Sequence, residues 1–377
     1  VKKSPNETRR EQPSVLYVIG PWVVLAGAEK QLAKVASLVA RRGWRAEILV
    51  LGDELNEILT VTAEPCPVTT LPKRPRGPAR LRALSQKAEM EDWPLLVGQL
   101  FSGNLYAAAA AWRTGRRAIV FEGGLEPWRR WYHWAACRWY WRRAELIEVN
   151  SRAVKEMVLS HGGPESKLRV IFNGIEAGQP VSHKERREAR VKFGINEGPV
   201  VVMVANLRRP KDPQTLIRSV ARLKGVYPGI RALLAGDGHL RAEVERLITE
   251  LKLKEEVRLL GVADDVRSVL AAADVFCHSS LSEGLPNAVI EAQIAGVPCV
   301  VSKAGGSTEL IEDGERGLTF EIGDVDGCAA TIARQLDNPA EAARMAENSR
   351  AWAVEELSFE RNLELHRRLY EEALGVG

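Results

Sequence analysis

The sequence predicts an α/β protein built in two halves. Three observations predict it. The chain has 377 residues, long enough for two domains of ordinary size. Short apolar runs alternate with segments of helical periodicity in strand–helix–strand order, as in Val15–Leu51 and Ala273–Val301. A polar, charged stretch, Glu176 to Gly198, separates the two sets. Composition agrees: 45% hydrophobic and 27% charged residues mark a soluble globular chain. A net charge of +4 is too slight at this length to argue for nucleic acid. The five cysteines, Cys66, Cys137, Cys277, Cys299 and Cys328, are scattered, with no C-x-x-C pair. That fits neither a disulfide framework nor a zinc site, and suggests a reducing compartment. No apolar run approaches bilayer-spanning length. Val1–Pro13 is polar and charged, so the expectation is a disordered tail, no signal peptide and a cytoplasmic protein.

In the first half, Val15–Ile19 reads as a strand. The loop Gly20–Ala26 leads to Gly27-Ala28-Glu29 and a helix over Lys30–Arg42. Gly43 caps it before the strand Arg45–Leu51. A glycine at the start of a helix, here Gly27, lets the backbone approach a phosphate or sugar closely; any tight turn would also explain it. Leu71–Pro78, rich in Pro, Lys and Arg, reads as an exposed loop. Helix Ala79–Met90, strand Pro94–Leu100, helix Leu105–Trp112 and strand Arg117–Phe121 follow, the last ending at Glu122-Gly123-Gly124. Pro127–Arg143, PWRRWYHWAACRWYWRR, holds five of the ten tryptophans. Trp128, Trp131, Tyr132, Ala135 and Trp139 share one helical face, and Trp134 and Trp141 form a second ridge. Two readings stand level: a basic aromatic helix on an anionic membrane surface, or a helix with its Trp rings in the core and its arginines solvated. Glu145–Asn150 is a strand, Ser151 an N-cap for helix Arg152–Ser160, and Leu168–Phe172 a strand ending in Asn173-Gly174-Ile175.

The linker carries a charged helix, Lys184–Phe193. Strand Pro199–Ala205 opens the second half, followed by Asn206-Leu207-Arg208-Arg209-Pro210-Lys211-Asp212 and helix Pro213–Lys224. Cations between a strand end and a helix start are well placed for a diphosphate. Ala232–Ala235 and Val257–Leu260 are strands around helix His239–Lys252. Asp264 and Asp265 precede a helix, where N-capping explains them. Asp324-x-Asp326 reads as a loop before helix Gly327–Leu336, and Ala340–Gly377 as long, charged helix.

The stretch around which the chain is organised is His278–Gly306. Strand Ala273–Cys277 precedes it, and Leu281–Leu285 is a loop. Pro286 begins a helix that runs to Ala295; Gly296 ends it before strand Val297–Val301. Glu283 and Glu291 bracket the loop and helix start. Carboxylates can accept from sugar hydroxyls, while backbone N–H groups from Asn287 onward suit phosphate. Two solvated glutamates would explain the residues equally.

The string EGLPNAVIEAQIAGVPCVVSKAGGSTELIEDGERG resembles the E-x7-E region of glycosyltransferase family 4, which has the GT-B fold. E-x7-E alone is weak; followed by A-G-x-P, G-G and E-L-I-x-D-G-x-x-G it is highly specific. The resemblance runs from about Val15 to about Pro339 and implies two Rossmann-like domains facing across a cleft. These would be 14–180, joined by a C-terminal helix from 355–377, on the acceptor side, and 196–354 on the nucleotide-sugar side. It implies a retaining transferase without a metal, often acting on lipid-linked acceptors. By resemblance, Glu291 would hold the ribose and Val262 the base. Lys211, Arg208 and the amides after Leu285, around Pro286 and Asn287, would hold the diphosphate, and Glu283 the donor sugar. Gly305-Gly306-Ser307 could touch phosphate or sugar. Uridine is the first expectation for the base and guanosine the second.

Three positions depart from the family pattern. Ala26 replaces the first of two glycines before Ala-Glu. Asn206 stands in place of an arginine, a charge that Arg208 would supply. Glu122 stands where many members place a histidine near the donor sugar, and could accept a proton or a hydroxyl hydrogen bond there, or be a plain loop residue. A degenerate chain that binds without transfer, or a nucleotide-sugar epimerase, would be the alternatives.

Overall fold

The computed structural model describes residues 12–20, 27–52, 57–71, 77–126 and 128–376. Ala26, most of the predicted tail and 72–76 of the basic loop lie outside the described residues. The chain divides into two compact units, one running to Gly174 and including Phe359–Gly377, the other Ile175–Ser358.

The first unit begins with β1 (Ser14–Ile19), α1 (Gly27–Arg41), β2 (Arg45–Val50), α2 (Glu57–Ala63) and β3 (Val68–Thr70). It continues with α3 (Pro78–Met90), β4 (Leu95–Gln99), α4 (Leu100–Thr114) and β5 (Arg117–Glu122). Then come α5 (Trp131–Arg143), β6 (Leu146–Val149), α6 (Arg152–Ser160) and β7 (Leu168–Val170). The strands form a seven-stranded parallel sheet in the order β3-β2-β1-β4-β5-β6-β7. Helices on both faces explain why β1 and β4 are buried along their whole length and apolar except at Ser14 and Gln99.

The second unit holds α7 (His183–Lys192), β8 (Val200–Val204), α8 (Pro213–Leu223), β9 (Arg231–Ala235) and α9 (Arg241–Glu250). β10 (Val257–Gly261), α10 (Val266–Ala271), β11 (Val275–His278), α11 (Asn287–Ala295) and β12 (Cys299–Ser302) follow. α12 (Ser307–Leu310), β13 (Leu318–Phe320), α13 (Val325–Asp337) and α14 (Pro339–Glu356) complete it. Its six-stranded parallel sheet runs β10-β9-β8-β11-β12-β13. Each sheet therefore grows outward from its first strand in both directions, the doubly wound order.

The helix starts follow local chemistry. Ser151 Oγ accepts from Val154 N–H, Asp265 from Ser268 N–H, and Asp324 from Gly327 N–H. Asp324-x-Asp326 is thus a helix start, with Asp326 paired to Arg222. The long helical stretch expected from Ala340 forms two helices. The chain breaks at Leu357–Ser358, where Leu357 accepts from Ile175 N–H at 2.7 Å.

α15 (Phe359–Leu374) then belongs to the first unit. Asn362 Nδ2 donates to Phe172 O at 2.6 Å, and the Tyr370 and Tyr17 hydroxyls lie 3.1 Å apart. His366 donates from Nδ1 to Asn362 O (2.8 Å) and from Nε2 to Glu148 Oε1 (3.0 Å), which suits the doubly protonated ring. Burial alone would lower the His366 pKa, but the buried Glu148 carboxylate outweighs it and raises it.

All five cysteines are free and buried. Among the described residues no helix is long and apolar enough to cross a membrane.

Candidate active site

In an open parallel sheet, ligands meet the carboxyl ends of the strands where the strand order reverses. In the second sheet that place lies between β8 and β11. The loop after β8 carries Asn206, Arg208 and Lys211; the loop after β11 carries Glu283, Leu285 and Pro286. The two loops are tied together. Leu281 N–H donates to Pro210 O at 2.8 Å, and Ser279 Oγ to Asp212 O at 2.7 Å. Asp212 sits in the left-handed region at φ 41°, a strained place for a side-chain-bearing residue, and its carboxylate caps α8 through Thr215. Behind them, Gly236 takes φ +135°, and a Cβ there would lie 2.0 Å from Ala205 O, so only glycine lets the β9 turn back the loop this closely.

Lys211 and Glu283, 72 residues apart, meet here. Lys211 Nζ donates to Glu283 Oε1 at 2.6 Å, His278 Nε2 lies 2.8 Å from the same oxygen, and Ser280 Oγ donates to it at 2.6 Å. The Glu283 side chain is 7% exposed and that of Lys211 29%. Burial pushes the Glu283 carboxyl up, but the His278 hydrogen bond and the Lys211 charge outweigh it and hold the group below the ordinary carboxylate range. The site therefore holds a fixed anion next to a cation that solvent reaches. An ammonium has three donors, so one bond to Glu283 leaves Lys211 able to meet a phosphate oxygen.

Gly306 N–H donates to the backbone Glu283 O at 3.2 Å, which ties the Gly305–Gly306 turn to the Glu283 main chain. Leu285 is buried, and Pro286 is the N-cap of α11 rather than its first helical residue, with φ −80° and ψ 106°. Among the described residues no side-chain cap bond closes this helix start, which leaves the positive end of its dipole to the loop. Asn287 opens the helix, and Glu291, half-buried, lies one turn on. Asn206 and Arg208 are exposed. Val262, 75% exposed, follows β10 on the same sheet edge, beside the bond from Gly236 N–H to Gly261 O.

In the first unit, Gly27 is exposed at the first position of α1, and Glu122 is the last residue of β5. Glu122 is not presented to a ligand: it is 2% exposed. Its Oε2 accepts from Arg129 at 2.8 Å, and its Oε1 from Tyr140 at 2.6 Å and Trp141 at 3.1 Å. Both oxygens are spent inside the core, so its candidate role as a proton or hydroxyl acceptor is corrected to that of a core anion. Arg129, expected in solvent, is its buried partner.

α5 starts four residues later than Pro127, because Glu126 O accepts from Arg129 N–H in a turn and Arg130 N–H is capped by His133 Nδ1. The two sides of this segment differ. Tyr140 and Trp141 are fully buried and Trp134 stacks on His161 at 3.6 Å, while Trp128, Trp131 and Tyr132 are open.

His278 and Ser280 escaped attention in the sequence. Their signal is slight: two polar residues two apart at a strand end, just ahead of Glu283.

Residues 26–174 match the family model of the glycosyl transferase 4-like domain, and residues 185–352 that of glycosyl transferases group 1. The chain belongs to the group 1, family 4 type of glycosyl transferases. Among its relatives, this family-4 chain is 35% identical over 222 residues to the lipopolysaccharide core biosynthesis glycosyltransferase LpsE of Rhizobium meliloti. That match covers 59% of this chain and 62% of LpsE. It is 28% identical to the GDP-mannose-dependent phosphatidylinositol monomannoside mannosyltransferase of Mycolicibacterium smegmatis, over 56% of this chain and 58% of that one. The chain thus spans about three fifths of these curated relatives. The crystal structure of Anabaena HepE in complex with UDP superposes with a TM-score of 0.86 over 94% of this chain and 99% of that one. At 23% identity the likeness is one of fold, and the fold is GT-B.

Proposed function

We propose that this chain is a retaining, metal-independent glycosyltransferase that moves a sugar from a nucleotide-sugar donor to a glycan or lipid-linked acceptor in cell-surface polysaccharide or glycolipid synthesis. The observation that carries the reading is the Lys211–Glu283 pair at the point of strand-order reversal, beside the uncapped start of α11. As the sugar–oxygen bond breaks, negative charge grows on the leaving nucleoside diphosphate. Cations and N–H dipoles already in place stabilise that state more than the ground state. Lys211 and Arg208 would neutralise the diphosphate together with the amides after Leu285, where Pro286 and Asn287 turn the chain into the helix. Asn206 would line the same pocket, Glu291 would accept from the ribose hydroxyls, and Val262 would meet the base. Glu283 would accept from the donor sugar's hydroxyls near the anomeric carbon. Gly27 would allow close backbone approach in the first unit.

A UDP-sugar is the favoured donor. HepE has been solved with UDP, with UDP and glucose, and with UDP-glucose, which supports this choice. A GDP-sugar ranks second, in line with the mannosyltransferase relative. The open aromatic side of the Trp128–Arg143 segment would bring the enzyme to an anionic membrane surface from the cytoplasmic side. Loss of binding to phosphatidylserine vesicles in Trp128→Ala and Trp131→Ala is the expected outcome; unchanged binding would remove the membrane from the reading.

The deciding experiment is calorimetric titration of UDP-, GDP- and ADP-sugars into the wild type and Glu291→Ala. One nucleotide class should bind, and the variant should lose about 10- to 100-fold in affinity, the worth of a hydrogen bond to a charged acceptor. Equal affinity in both proteins would end the ribose role of Glu291. Binding without any transfer would leave a non-catalytic sugar-nucleotide protein, and a converted sugar with no acceptor present would mean an epimerase.

A further inference from the structure

His278 closes β11 with its side chain 1% exposed, and its ring lies nearly parallel to that of Phe276, at 12°. Nε2 has two neighbours, Glu283 Oε1 at 2.8 Å and Ser280 Oγ at 3.0 Å. The single O–H of Ser280 donates to Glu283 Oε1, so Ser280 Oγ can only accept from the ring. Both neighbours of Nε2 are therefore acceptors, and Nε2 carries the proton. Nδ1 is buried with no hydrogen-bond partner among the described residues. A proton there would be a buried donor facing nothing, so the ring is neutral.

Three donors crowd one carboxylate oxygen, and each is held from elsewhere. His278 is fixed in the strand. Ser280 has its backbone C=O tied to Ser302 Oγ on β12. Lys211 arrives on the loop after β8. Turning the Glu283 carboxylate would break three bonds together.

We propose that His278 is a positioning residue: as a neutral imidazole protonated on Nε2, it fixes Glu283 Oε1 beside Lys211 and so presents Oε2 to the hydroxyls of the donor sugar. A neutral donor fits this task because it orients the anion without adding a second cation that would offset it. The inference rests on the donor-sugar role given to Glu283 above.

The test compares wild type, His278→Phe, His278→Gln and Glu283→Gln. The substrate is UDP-glucose, or the GDP- or ADP-sugar that calorimetry selects, and the control ligand is its sugar-free nucleoside diphosphate. His278→Phe should lower kcat/KM for the donor by about 10- to 100-fold, while the dissociation constant for the diphosphate stays within about twofold. His278→Gln, whose side-chain N–H can replace Nε2–H, should recover most of the loss. A parallel fall in both readouts with no rescue by glutamine would mean a merely structural histidine and overturn the proposal. Nitrogen-15 spectra of histidine-labelled wild type, assigned by His278→Gln, should show Nε2 protonated and Nδ1 bare; the opposite tautomer would also overturn it. Impairment in Glu283→Gln with a silent His278→Phe would sink this inference alone. A silent Glu283→Gln would sink the role of Glu283 and this inference with it.

Discussion

Two glutamates sit at the carboxyl ends of parallel strands, one in each unit, and each gathers a cation and two neutral donors. Glu122 spends both oxygens, on Arg129, Tyr140 and Trp141, and its cation is as buried as itself, at 2%. Glu283 takes its three bonds on one oxygen, and its cation, Lys211, is 29% exposed. The chemistry is alike and the outcome differs. A closed set of partners makes a rivet that holds α5 to β5, whereas a lopsided set with a wet cation leaves an oxygen and an ammonium that a ligand could meet. Burial of a carboxylate is thus no guide to function until each of its oxygens has been accounted for.

Removing Arg129 would test the contrast hardest. Arg129→Ala leaves a buried anion unpaired, and should cost about 3–5 kcal/mol in urea unfolding, with turnover per folded molecule unchanged. Lost turnover at unchanged stability would instead put Glu122 in the chemistry. Lys211→Ala should do the reverse. Turnover should fall about 10²- to 10³-fold, as when one preorganised donor to a developing anion is removed. Stability should fall by only about 1 kcal/mol, since the pair is partly solvated and His278 and Ser280 remain. Equal losses in both measurements would erase the distinction.

The smallest effects are in pH. The lowered Glu283 carboxyl stabilises the second unit fully above the ordinary carboxylate range, and that contribution is lost as pH falls through the lowered value. The raised His366 works in the opposite sense. It stabilises the first unit fully below about 6.5, and the contribution is lost as pH climbs through the raised value. Urea midpoints against pH should therefore show a Glu283→Gln variant flattened on the acid side and a His366→Gln variant flattened on the alkaline side.

The alternation of apolar runs and amphipathic segments was enough to read two parallel-sheet α/β units, since only crossover helices join such strands. The string from Glu283 to Gly317 was enough to bring Glu283 and Glu291 forward, and the cations after β8 pointed to Lys211. What stayed hidden was tertiary. Whether Arg129 is solvated or buried depends on Glu122, seven residues back and on another element. Periodicity assigned Trp141 to a ridge but had no means of saying that this ridge faces the core. His278 and Ser280 become partners of Glu283 only because the loop curls back on its own strand end, which spacing along the chain does not reveal. The break at Leu357 depends on a backbone bond to Ile175 that no local pattern announces.

The hydroxyls of Tyr17 and Tyr370 meet across 353 residues of chain. On the ribosome, β1 emerges well before its hydroxyl partner, with every residue of the second unit between them. The second unit can therefore mature as an unbroken piece, while the first must wait with the faces of Tyr17, Trp44 and Glu148 uncovered. At elongation rates of about 5–20 residues per second, that wait lasts tens of seconds. Expression of the leading segment alone would preserve that immature state, and supplying the Phe359–Leu374 peptide in trans should complete it.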